Sequence, residues 1–109
     1  MTFGEYQEKA KKTIEYPNVG DNYVYPTLGL AGEAGELANK IKKIERDHAG
    51  IVTDEVRAGI ASELGDLLWY IAALSTELGM NLETVAEANI QKLALRQQHG
   101  TLRGTGDGR

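Results

Sequence analysis

Apolar residues recur at helical spacing through four stretches of the chain, and no stretch carries the alternation of a strand. From Val56 the series Ile60, Leu64, Leu67, Ile71, Leu74 and Leu78 advances by four or three residues without a break. That step keeps side chains on one side of an α-helix and predicts a long helix over about Asp54 to Leu78. Leu30, Ala34, Leu37, Ile41 and Ile44 predict another, from about Pro26 to about Asp47. Phe3, Tyr6, Ala10 and Ile14 mark a shorter first helix reaching about Glu15, opened by Thr2-Phe3-Gly4-Glu5, which has the form of a capping box. Gly79 ends the long helix, and Asn81 caps a fourth that runs to about His99. Residues 16–26 hold both prolines with Gly20 and Asn22 and read as a loop; His48 to Thr53, with Gly50, reads as a short connection.

Four helices with short connections predict an all-α fold, an antiparallel four-helix bundle, over residues 1–99. The last ten residues contain four glycines and no apolar pattern, so residues 100–109 read as a flexible tail. Leu68, Trp69 and Ala72 lie off the main apolar stripe of the third helix. In so small a unit this flank is expected to be covered by self-association.

Composition narrows the function classes. A chain of 109 residues is one domain, and its 41% hydrophobic and 26% charged content is ordinary for a globular chain. There are no cysteines, which removes disulfides, thiolate metal sites and thiol nucleophiles. No apolar run is long enough to span a membrane, and Met1-Thr2-Phe3-Gly4-Glu5 lacks the features of a signal peptide, so a cytoplasmic location without a membrane partner is expected. The net charge of -4 argues against a nucleic-acid polymer as partner. It leaves room for a phosphorylated small molecule whose charge is screened by metal ions.

The chemistry concentrates in two acidic pairs, Glu33-Ala-Gly-Glu36 and Glu63-Leu-Gly-Asp66, with 26 residues between them. Residues three apart on a helix share a face, so each of two helices presents two carboxylates together. Like charges so close repel unless a cation or a proton joins them. Oxygen-only ligand sets suit hard divalent ions such as Mg²⁺, which works beside substrate phosphates. Both pairs flank an apolar stripe, at the edge of the expected core. Gly29, Gly32 and Gly35 recur beside the first pair, and glycine inside a helix costs roughly 1 kcal/mol against alanine. Their retention points to a close approach of backbone or ligand.

The fourth helix carries a second polar set. Asn89, Lys92 and Arg96 share one face, and an amide with two cations suits phosphate and sugar oxygens; the competing reading is a solvent-facing stripe. Lys40 either touches phosphate or pairs with Glu36 one turn earlier. His48 and His99 fall in no ligand-like spacing and read as surface residues. Trp69 and Tyr70 suit base stacking or packing between helices, packing being the better reading for Trp69.

Taken in order, Glu33-x-x-Glu36, Glu63-x-x-Asp66 and Asn89-x-x-Lys92-x-x-x-Arg96 resemble the MazG-like all-α nucleoside triphosphate pyrophosphohydrolases. Leu28-Gly-Leu-Ala-Gly-Glu-Ala-Gly-Glu-Leu37, Glu63-Leu-Gly-Asp-Leu-Leu-Trp-Tyr70 and the tail Gly104-Thr-Gly-Asp-Gly-Arg109 extend the likeness over nearly the whole chain. The resemblance implies an obligate homo-oligomer, a dimer or a dimer of dimers. It also implies Mg²⁺-dependent cleavage of a nucleoside triphosphate to monophosphate and pyrophosphate, with Mn²⁺ as a substitute ion, in cleansing of the nucleotide pool. Glu33, Glu36, Glu63 and Asp66 become the metal ligands by matching position, and Asn89, Lys92 and Arg96 the nucleotide contacts. Several relatives carry a further glutamate directly before the first pair, proposed in some as the base, where this chain has Gly32, so the general base falls to Glu33, Glu36 or a metal-bound hydroxide.

Two other readings fit the same spacing: a phosphoribosyl-ATP pyrophosphohydrolase of the same architecture, and a non-catalytic helical interaction module whose acids are surface charge. A di-iron carboxylate bundle ranks last, because it expects a Glu-x-x-His motif that neither histidine supplies.

Overall fold

The computed structural model describes residues 1–109 and is all-helical, with α1 at Phe3–Lys11, α2 at Val24–His48, α3 at Asp54–Glu77 and α4 at Leu82–Gln98. The caps follow from local chemistry. Thr2 Oγ1 accepts from the Glu5 N–H at 3.0 Å while the Glu5 carboxylate accepts from the Thr2 N–H at 3.1 Å, the reciprocal box expected there. Thr53 caps α3 through the Val56 N–H, and Asn81 caps α4 through the Glu83 N–H. Gly79, at φ 67°, closes α3. Two boundaries move. α1 stops at Lys11, where the Thr13 hydroxyl donates to the Ala10 carbonyl at 2.7 Å. α2 starts at Val24, because Asn22 Oδ1 accepts from the Tyr25 N–H at 3.0 Å. Pro26, fully buried, sits in the first turn, where its missing N–H costs nothing.

α2 and α3 form an antiparallel pair. Gly29 meets Tyr70, Lys40 meets Glu63, and Ile44 lines a cleft with Val56 at the hairpin end. A Cβ at position 29 would overlap the Tyr70 ring, so glycine is required for the two helices to approach this closely. The expectation of close approach holds there alone, for nothing lies near the corresponding points at Gly32 and Gly35.

α1 packs on α3, and α4 packs on α1. The small buried core is Ala10, Ala72 and Leu82, flanked by Tyr6 and Trp69. The Trp69 indole N–H donates to Thr13 Oγ1 at 2.7 Å, and buried Gln7 bridges α1 to the Met80 carbonyl and the Leu82 N–H. The four helices do not close round one core as a bundle does: the radius of gyration is 16.8 Å, against about 13 Å for a compact chain of this length. The two faces of α3 also exchange their expected roles. Its Trp69–Ala72 flank is covered by α1 within the same chain, because Ala72, Ala73 and Ser75 are small enough to let α1 approach. The regular stripe stays half open, with Leu64 and Leu78 each 52% exposed.

One carboxylate ties the long first loop to α3. Glu77 accepts from the Tyr16 hydroxyl at 2.6 Å, the Gly20 N–H at 2.9 Å and the Asn22 N–H at 3.0 Å. Tyr16, itself buried, stacks on Tyr25 with ring centroids 4.8 Å apart. Burial alone would raise the Glu77 carboxyl; the three donors overcome it and hold the group below its ordinary value. A lowered folded pKa gives stability that is present above the ordinary carboxylate range and lost as pH falls through the lowered value. Glu77→Gln is therefore expected to cost about 1–3 kcal/mol at pH 7. Denaturant unfolding followed by circular dichroism should show the gap from wild type closing on acidification; a gap independent of pH would remove the charge from this role.

Candidate metal centre

The antiparallel register set at Gly29 and Tyr70 brings Glu33 on α2 across from Glu63 and Asp66 on α3. One carboxylate oxygen from each lies within 4.8 Å of the others, an all-oxygen set of the kind hard divalent cations take. Glu63 and Glu33 are half-buried and Asp66 is exposed. Glu63 Oε1 faces Lys40 Nζ at 3.6 Å, and its Oε2 is buried with no hydrogen-bond partner. An orphaned buried oxygen costs about 1–3 kcal/mol, and a cation held among the three acids removes that cost. The donor set fits a divalent ion.

The electrostatics agree. The Glu33 carboxyl is pushed above its ordinary range, first by a hydrogen bond shared with Glu63, then by burial and by the charges of Asp66, Glu63 and Glu36. Tyr70 and Tyr6 are both pushed up, by burial first and then by acids of this cluster: Glu33 and Asp66 act on Tyr70, after Tyr25, and Asp66 acts on Tyr6. Beside it, Tyr16, Tyr25, Trp69 and Tyr70 line a cavity of about 340 Å³.

The other residues singled out by sequence fall in different places. Glu36 is exposed on α2, outside the group of three, although its charge reaches Glu33. Lys40 pairs with Glu63 across the helix interface and not with Glu36 along its own helix. Asn89 is exposed on α4. Lys92 and Arg96 both contact Asp107 of the tail: Lys92 Nζ lies 3.1 Å and Arg96 Nη2 2.9 Å from the same Oδ1. Arg96 is only 5% exposed, so it is no solvent-facing residue. This polar set lies about 10–20 Å along α4 from Leu82, on a helix that rests on α1, apart from the α2–α3 pair that holds the acids. Asp107 was given no role in the sequence, where it carries two signals: it is the only acidic residue after Glu87, and it lies in the tail Gly104-Thr-Gly-Asp-Gly-Arg109 that extends the family likeness.

Comparison with known proteins places these features. Residues 26–101 match the family model described as the MazG nucleotide pyrophosphohydrolase domain. The chain is 46% identical to the Gene 37 protein of Mycobacterium phage L5, over 95% of this chain and 96% of the phage protein. It is 33% identical to the uncharacterized protein YvdC of Bacillus subtilis (strain 168), over 64% of this chain and 71% of that protein. No solved structure matches it.

The crowding of charge predicts two opposite effects of one substitution. Because the folded pKa of Glu33 is raised, the stability linked to its proton is present below the ordinary carboxylate value and lost as pH rises through the raised one. At neutral pH Glu33→Gln should thus raise the melting temperature of the metal-free protein. Mg²⁺ should raise the melting temperature of wild type and leave that of the variant unchanged. Thermal scans with and without Mg²⁺ check both; a variant that melts lower without metal and still responds to Mg²⁺ would dissolve the cluster as a cation site.

Proposed function

The chain belongs to the MazG nucleotide pyrophosphohydrolase family, and from that premise we propose that it is a Mg²⁺-dependent enzyme cleaving a nucleoside or deoxynucleoside triphosphate to its monophosphate and pyrophosphate. A role in cleansing the nucleotide pool follows from that activity. The observation that carries the reading is the convergence of Glu33, Glu63 and Asp66 with one Glu63 oxygen buried and unpaired.

In this reading Glu33, Glu63 and Asp66 hold the ion, with Glu36 at the rim. Bound Mg²⁺ supplies Lewis acidity, a water of lowered pKa and charge neutralisation for the triphosphate. Water attacks the α-phosphorus, a new P–O bond forms, the bridging bond to the β-phosphate breaks, and pyrophosphate leaves. Glu33 or Glu36 takes the proton of the attacking water. Lys40 holds Glu63 from the opposite helix and offsets one negative charge of the cluster. The aromatic cavity beside the acids offers ring faces to a base, and Asn89, Lys92 and Arg96 offer donors to sugar and phosphate oxygens.

Those donors sit on α4, which packs on α1, so a second copy of the chain is the route by which they reach an acidic cluster. The half-open stripe of Leu64, Ile71 and Leu78, with Ile41 on α2, supports self-association as a homodimer or a dimer of dimers.

A panel of nucleotides assayed for pyrophosphate release should show turnover only with a divalent ion. Glu63→Gln is expected to lower the rate by about 100-fold or more, the several kcal/mol that metal-assisted charge stabilisation supplies. Glu36→Gln should keep the helical spectrum while losing turnover, and a near-normal rate at saturating Mg²⁺ would take Glu36 out of the site. Light scattering should return at least the mass of a dimer; a micromolar monomer that still hydrolyses nucleotide would defeat the assembly.

A further inference from the structure

At the far end of α4, Lys92, Arg96 and His99 line a cleft of about 560 Å³ together with Asp107 and Arg109 of the tail. The cations and their anion are held very differently. The Arg96 side chain is 6% exposed and its Nε is buried with no partner, whereas the Asp107 side chain is 83% exposed. Both cations converge on a single oxygen, Asp107 Oδ1, and Arg96 Nη2 also reaches the Asp107 carbonyl at 3.0 Å. One carboxylate thus faces two positive charges and leaves one buried donor unsatisfied. A phosphate group, with more charge and several terminal oxygens, meets that demand better than a monovalent carboxylate bonded through one oxygen.

The tail is built to let go without unravelling. The Arg109 guanidinium donates to the carbonyls of Thr101 at 3.0 Å, Leu102 at 3.2 Å and Gly106, closing residues 101–109 on themselves. Gly100, at φ 70°, ends α4 and turns the chain into this segment. Besides Asp107, the segment is tied back to α4 through Thr101, which bonds the Arg96 carbonyl.

We propose that the Lys92–Arg96 cleft is a phosphate-binding site whose resident occupant is the chain's own Asp107, and that the tail swings aside when an external phosphate group binds. The ligand class is a nucleotide or inorganic pyrophosphate. The proposal rests on the reading of Lys92 and Arg96 as phosphate donors and is independent of hydrolysis at the acidic cluster. The Asp107 side chain is 83% exposed and bonds both cations through one side-chain oxygen, so an incoming phosphate reaches the same donors by replacing a single carboxylate. Asp107 accordingly competes with the ligand; a strut that orients Arg96 would instead assist it.

Calorimetric titration of the full chain with inorganic pyrophosphate, without divalent ions, separates the two. Asp107→Asn should bind pyrophosphate roughly ten- to hundredfold more tightly than wild type, the range a charge-assisted contact supplies. Trypsin gives a readout apart from affinity. In wild type, pyrophosphate should speed release of residues 104–109 by cleavage after Arg103, and Asp107→Asn should release them rapidly with no ligand. Equal or weaker binding by Asp107→Asn, or protection of the tail by pyrophosphate, overturns the latch. If neither protein binds pyrophosphate while nucleotide is still hydrolysed, the α4 phosphate site falls and the hydrolase reading stands. A gain in Asp107→Asn without nucleotide hydrolysis leaves the latch standing and the hydrolase reading defeated.

Discussion

The contact between Gly29 and the Tyr70 ring sets the register on which the acidic centre depends. Without a Cβ at position 29 the two long helices come close enough for residues on facing turns to share one site. Three carboxylates then meet across the interface at the edge of the apolar contact. Their mutual repulsion works against that contact; it raises the Glu33 carboxyl above its ordinary range, and an ion pair from Lys40 to Glu63 offsets one charge. Neither satisfies Glu63 Oε2. Packing energy between α2 and α3 thus holds an electrostatically unfavourable arrangement together, the condition under which a site gains most from a cation.

The elements were legible because period and capping are local. The Thr2 box, the Thr53 and Asn81 caps and the Gly79 stop each depend on a few adjacent residues, and each appears where the sequence indicates it. What lay hidden were relations between elements. The period of α3 marks an apolar stripe but not which of its flanks the same chain will cover. The small residues Ala72, Ala73 and Ser75 decided that by admitting α1. Lys40 lies four residues after Glu36, a spacing visible in one helix, and it binds Glu63, a partner that exists only once the register is known. Arg96 has the sequence context of a surface residue and is buried by a tail that has no periodic signal at all.

Among the acids singled out, Glu33, Glu63 and Asp66 were therefore readable as a group, while the separation of Glu36 from them was not. Helical spacing places residues i and i+3 on one face, but a facing helix is tangent to only part of that face. Glu33 lies where α3 crosses, and Glu36 is carried toward solvent one turn on.

The chain also divides its charge. The acids occupy the α2–α3 pair, whereas Lys92 and Arg96 stand on α4, which leans on α1. In one copy, then, a polyphosphate would meet its cation site and its basic donors on different faces. The openness of the chain and its uncovered α3 stripe have the same origin: α4 spends its buried surface on α1 and leaves the α2–α3 hairpin bare along one side. Covering that side with a second hairpin would remove apolar surface from water and change which groups surround each acidic cluster. Assembly and site completion would on this account be one event, because the apolar surface left open borders the carboxylates themselves.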